Sequence, residues 1–204
     1  MKRLLNKLSV STLTIALAVI LVFGGAIGGT LAWLTAKTEP VKNVFTVGQI
    51  ILSLTETDAA GGTINSGSQT FLATPGSNIT KDAKVTVGTG SVESWIFIEV
   101  KESKDFAADT NIGYEIADGW TILSETLGAD DTMTRLYYRA VAETTSADAA
   151  YSVFANDTIV VAGAFAPAAG AGEYSITLTA YGIQKANLAT ASDAWTALGT
   201  ALNP

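Results

Sequence analysis

The chain has 204 residues, a formal net charge of −7 and a mean hydropathy of +0.33, with no cysteine and no histidine. The acidic balance argues against nucleic acid or an anionic membrane surface as a partner, since both are met by a basic face. Without Cys there is no disulfide staple. Without His or Cys the usual zinc ligands and the Ser-His and Cys-His nucleophiles are excluded.

Lys2, Arg3 and Lys7 precede an uncharged stretch over residues 8–36. Its apolar centre at 14–23 gives way to Gly24-Gly25-Ala26-Ile27-Gly28-Gly29 and then to Thr30-Leu31-Ala32. A basic start, an apolar run and a small-residue site read as a secretory signal peptide over residues 1–32, cleaved between Ala32 and Trp33. Basic residues before such a span stay inside, so everything after it is expected outside the cell. A second reading stays open. The stretch exceeds the ~20 residues that cross a bilayer, and Gly24/Gly28 and Gly25/Gly29 fit the packing pattern of membrane helices, as an uncleaved anchor would. Loss of Lys2, Arg3 and Lys7 leaves nine Lys+Arg against 19 Asp+Glu, a net charge of −10.

Residues 33–42 begin with Trp33, Leu34, Thr35 and Ala36, turn polar, and are interrupted by Pro40 before Val41. They are too polar for a core strand, but such an arm can pair with an open sheet edge on another subunit, with Trp33 and Leu34 filling a pocket. From residue 43 the pattern is β. Strands are expected at 44–49 and 49–55, a turn at 58–62, a short strand at 69–73 stopped by Pro75-Gly76, and an alternating strand at 84–87. Residues 94–101 alternate too little for a half-wet strand and are placed in the centre. Residues 112–116 and 120–123 are expected to pair as a hairpin across Asp118-Gly119. Residues 132–141 form a long strand, 151–154 a turn and 158–161 a strand. An Ala/Gly/Pro loop at 164–172 leads to a clean alternation at 173–181, with Tyr174, Ile176, Leu178 and Ala180 on one face. Only the tail reads as helical, with Ser192 as its cap, Asp193 in the first turn, and Trp195 and Leu198 facing inward. The fold expected is all-β, a jelly-roll-like β-sandwich at residues 43–204 with a short C-terminal helix.

Chemistry is sparse. Paired acids at Asp130-Asp131 or Asp105/Asp109 are the remaining acid–base option, and both read as solvated turn charges. Calcium at Asp130-Asp131 or Asp157 is the one cation conceivable. Lys81, Lys84, Lys101 and Lys104 are outnumbered by nearby acids, and Asn78 and Asn156 each begin a glycosylation sequon. Trp95, Trp120, Tyr137 and Tyr138 read as core, with a sugar-binding groove as the other use of such aromatics. No cofactor, no metal site and no enzymatic activity are expected.

Gly28-Gly29-Thr30-Leu31-Ala32-Trp33-Leu34-Thr35, Asn43-Val44-Phe45-Thr46-Val47-Gly48 and Ile51-Leu52-Ser53-Leu54-Thr55 resemble the TasA/camelysin family of Gram-positive exported proteins. The turn Pro75-Gly76-Ser77-Asn78-Ile79-Thr80-Lys81, the strand and turn from Val85 to Gly90, Ala180-Tyr181-Gly182-Ile183-Gln184 and Ala194-Trp195 extend the likeness along almost the whole chain. The resemblance implies a jelly-roll subunit released by a type I signal peptidase, touching the membrane only through its signal peptide. It further implies a homopolymer, a cell-surface or biofilm-matrix fibre. The freed N-terminus (Trp33, Leu34, Thr35, Ala36, Val41) would serve as donor strand for a neighbour. Some relatives are called metallopeptidases; without histidine that label has nothing to attach to here. The alternative is a monomeric surface adhesin or carbohydrate-binding module.

Overall fold

In Ser94–Glu102 (β5), residues of both parities are apolar because both faces of the strand are covered. Ile96, Ile98 and Val100 enter one buried cluster, while Trp95 and Phe97 enter another on the opposite face. The strand is central, as the weak alternation predicts, flanked by Ile176–Gln184 (β11) and Met133–Val141 (β8).

The computed structural model describes Thr14, Ile15 and Ala18, which are helical, and residues 49–57, 62–64, 69–167 and 170–202. The chain divides into two compact units, residues 1–46 and 47–204, and every strand named here belongs to the second. Ala32, Trp33, Leu34, Thr35, Ala36 and Val41, and with them the cleavage site, the arm and all but Gln49 of the strand expected at 44–49, lie outside the described residues.

Among the described residues there are three antiparallel sheets. The first has the order β2-β1-β4-β9, built from Leu52–Thr57 (β1), Thr63–Ile64 (β2), Lys84–Val87 (β4) and Ala149–Ser152 (β9). The second has the order β3-β10-β6, from Asn78–Thr80 (β3), Ile112–Ile116 (β6) and Phe154–Val161 (β10). The third has the order β11-β5-β8-β7, with Thr121–Leu127 (β7) at one margin. Only Val153 separates β9 from β10, and its N–H donates to Ala83 O at 2.9 Å, so the second sheet continues the first across a kink. Val85 and Val87 of the first sheet share a cluster with Ile96, Ile98, Val100, Tyr137 and Val141 of the third, so the two sheets pack face to face.

The C-terminal helix Ala191–Leu202 (α2) covers the other face of the third sheet. Ala191, Ala194 and Leu198 are buried there, and Trp195 packs against Phe97 and Tyr181 with ring centroids 5.1 and 5.3 Å away. Its cap is Thr190, not the expected Ser192. The Thr190 hydroxyl accepts from Asp193 N at 3.1 Å and donates to the Asp193 carboxylate at 2.7 Å, capping the helix two residues earlier.

Four further expectations are corrected. Residues 69–73 form no strand: no neighbour pairs with them, and Leu72 is 86% exposed. Residues 151–154 are not a turn but the junction of β9 and β10. A second helix, Lys104–Ala108 (α1), follows β5, capped by Ser103 and anchored by buried Phe106. Most consequentially, β6 and β7 do not pair: β6 bonds β10, and β7 bonds β8 in another sheet. The Asp118-Gly119 turn is real, with Gly119 at φ +86°, but it carries the chain between sheets. Trp120 fixes the crossing by burying its ring and donating Nε1–H to Ser152 O at 2.8 Å. The Arg139 guanidinium lies directly under Gly119, where a Cβ would come within 2.3 Å of it.

Candidate functional site: the flank between β6 and β7

A strand that pairs on one side only leaves a row of backbone N–H and C=O groups unfilled, and such edges are normally covered or blunted. Among the described residues, β6 pairs with β10 alone and β7 with β8 alone. β6 lies against the third sheet, since Glu102, Arg135 and Tyr137 of that sheet and Ile112, Gly113, Tyr114 and Ile116 of β6 line one recess of about 270 Å³. β7 follows β6 directly through the Asp118-Gly119 turn.

Residues opposite one another in a ladder share a face. Ile122 stands opposite Tyr137 and Glu125 opposite Arg135; Leu127 is two residues beyond Glu125. Tyr137 belongs to the cluster between the sheets, so Ile122, Glu125 and Leu127 point toward the second sheet. They nevertheless stay open: Ile122 is 49% and Leu127 60% exposed. The second sheet stops at β6, short of covering β7.

At the inner end of this flank Glu102 is buried at 1% exposure. It is in phase with Ile96, Ile98 and Val100, so strand parity drives a carboxylate into the apolar layer, where it must be paired. Its Oε1 accepts from Tyr114 OH at 2.6 Å and from Arg135, which also lies 3.5 Å from the Glu125 carboxylate. Burial, reinforced by the Glu102 carboxylate, pushes the Tyr114 phenol well above its ordinary range. Burial also raises Tyr137. Sequence reasoning passed over Glu102, Tyr114 and Arg135. The signal was the in-phase acid at the end of an apolar strand.

The acids singled out from sequence are structural. Asp130 accepts from the Thr132 hydroxyl at 2.6 Å, and Asp131, at φ +60°, pairs with Lys104 at 2.5 Å. Asp105 accepts from Gly172 N at 2.6 Å, and Asp109 accepts from Asn111 N at 2.8 Å and Tyr174 OH at 3.0 Å. The Asn111 N–H, followed by Tyr174, holds Asp109 below the usual carboxylate range, and the Thr132 hydroxyl does the same for Asp130. Among the described residues no group of three His, Cys, Asp or Glu could hold a metal ion. Lys81 pairs with Glu56 at 2.6 Å. The four aromatics do not together line a groove: Trp95 and Trp120 are buried, Tyr137 is buried at the wall of the recess, and Tyr138 is half-buried, edge-on to Trp95 at 5.8 Å.

Among the described residues no helix is long and apolar enough to cross a membrane. Comparisons with protein-family models, with curated proteins and with solved structures each returned no match to this chain.

Proposed function

We propose that this chain is a secreted, non-enzymatic structural subunit that polymerises head-to-tail into cell-surface or matrix filaments. In this reading residues 1–32 are a signal peptide, the domain is a jelly-roll-like sandwich, and the TasA/camelysin resemblance reflects shared ancestry. The residue 33–42 arm of one copy adds as a strand beside β6 of the next, lying over β7. The observation that carries the reading is the flank itself, where Ile122 and Leu127 face inward but are uncovered and, among the described residues, two edges lack partners.

Three points support this occupant. The arm opens with Trp33 and Leu34, an apolar pair that would cover the exposed Ile122 and Leu127 of β7. Lys37 and Lys42 outnumber Glu39 on the arm, while Glu115, Asp118 and Glu125 are exposed around the flank. Gln49, bridged to Ser91, leads into β1, and two strand positions (β4, then β9 running into β10) separate β1 from β6. Donor and acceptor are therefore different surfaces, and a contact of that kind need not close.

Electron microscopy of the purified protein beginning at Trp33 tests the reading. Filaments are expected, and deletion of residues 33–41 or Trp33→Asp should leave folded monomers with an unchanged β circular-dichroism spectrum. Burying one large aromatic contributes about 2–3 kcal/mol, or roughly 30–150-fold per contact, and the effect compounds along a polymer. Filaments of normal length from the deleted protein would refute the arm's role.

A further inference from the structure

A second concavity, of about 600 Å³, lies on the outward face of the second sheet. Its floor is a row across three strands, Asn78 opposite Val160 opposite Gly113. Ile159, next on β10, points into the cluster with Ile79 and Phe106, so the Val160 row points out. Val160 is 54% exposed, and Gly113 contributes bare backbone. The result is a small apolar strip, Val160 beside Gly113, with Asn78 at its end.

Polar groups stand around that strip. Asn78, Asn156 and Glu115 are exposed, and among the described residues their side chains make no hydrogen bond or ion pair. The Thr158 hydroxyl donates to Asn156 O at 2.8 Å, leaving its oxygen to accept from outside. The backbone here is held in an uncommon form. The β10–β6 register shifts between Phe154 and Ile159, and the consecutive residues Asn156 and Asp157 have φ of 56° and 51°. Asp157 Oδ1 is shielded from solvent and unpartnered. Bulges of this kind re-aim side chains beside binding sites, and retained strain is a pointer to function.

We propose that this face binds a neutral oligosaccharide. A pyranose ring offers an apolar C–H face that fits the Val160–Gly113 strip. An amide presents a donor and an acceptor side by side, matching adjacent hydroxyls, and a carboxylate accepts from two more. No Lys or Arg lines the concavity, so an anionic sugar gains nothing here. The site shares β6 with the arm's flank, Gly113 and Glu115 included, but lies on the outward face of the sheet and not along its edge, so sugar binding is read on protein lacking residues 33–41 as well as on protein beginning at Trp33.

The test is calorimetric titration of the secreted protein with cellohexaose, chitohexaose and laminarihexaose. At least one should bind saturably, with a dissociation constant in the high-micromolar to low-millimolar range, on the order of 0.1–3 mM. Gly113→Val is the decisive variant. A Cβ at 113 meets nothing within 4 Å, and a β-branched residue suits a strand, so the fold should be kept while the strip is filled. It should weaken binding at least ~10-fold; Asn78→Ala and Glu115→Gln should weaken it severalfold, and Thr177→Ala on β11 not at all. Absence of saturable binding by all three sugars at about 10 mM, or equal binding by Gly113→Val and wild type, would overturn the proposal. Binding of an uncharged Ala-Ser octapeptide that Gly113→Val abolishes, with no sugar bound, would assign the face to peptide and overturn it equally.

Discussion

Glu102 is held by Tyr114 from a neighbouring sheet and by Arg135 from the next strand of its own sheet. Removing one partner of a buried pair leaves the other desolvated, which costs more than removing both. Glu102→Ala is therefore expected to destabilise the domain by about 3 kcal/mol, whereas Glu102→Met with Arg135→Met should cost much less. Urea denaturation of both variants checks this, and equal losses would mean the carboxylate contributes no pairing. The acid–base balance at this scale also fixes the pH response. Asp82, Asp109, Asp130 and Asp148 are all held below their ordinary range by hydrogen bonds, led respectively by the Thr57 hydroxyl, the Asn111 N–H, the Thr132 hydroxyl and the Thr89 N–H. A carboxylate with a depressed folded-state pKa stabilises above its unfolded value and loses that as pH falls through the folded one. With no histidine to titrate, the melting temperature should be flat from about pH 5 to 8 and fall below about pH 4. At the other end, the raised phenol of Tyr114 predicts loss of stability as pH climbs past about 10, where the unfolded tyrosine ionises first. A melting step near pH 6.5 would contradict the account.

At the scale of elements, β4 and β6 have the bounds that alternation and turn signals assign them, and β5 has the central place its apolar run implies. Partnership was not legible. Periodicity reports which faces are buried but not against what, so Asp118-Gly119 between two short strands reads as a hairpin although Trp120 sends them to different sheets. The Glu102–Arg135 pair was hidden for the same reason, since it exists only once the β5–β8 register sets Val100 opposite Arg135. Helix α1 was missed because five residues are too few for a periodic signal. Two variant pairs test the element assignments. Ile98→Ala and Phe97→Ala, on opposite faces of β5, should each cost about 2–5 kcal/mol, because neither face is solvated. Thr190→Ala should cost about 1 kcal/mol while Ser192→Ala stays within about 0.5; reversed values in chemical denaturation would restore Ser192 as the cap.

For the whole molecule, an antiparallel β fold without disulfides leaves edges at its margins, and the flank of β6 and β7 is where edge backbone and inward-facing apolar side chains are uncovered together. The donor arm is proposed from the sequence of residues 33–42, which lie outside the described residues. The flank proposed to accept it was not legible, because β6 and β7, only four residues apart, read as a hairpin, and it is the crossing at Trp120 that sends them to different sheets with both edges open among the described residues. Since the chain has no cysteine, single thiols placed at will report contact between copies without background. The most direct measurement mixes protein beginning at Trp33 and carrying Ala36→Cys with a separately purified copy carrying Ile122→Cys, under mild oxidation, and reads disulfide-linked species on a denaturing gel alongside the filaments. A strong cross-link between positions 36 and 122 is expected, and little with Thr177→Cys on β11. Filaments whose arm cross-links to β11 and not to β7 would contradict the proposed arm contact.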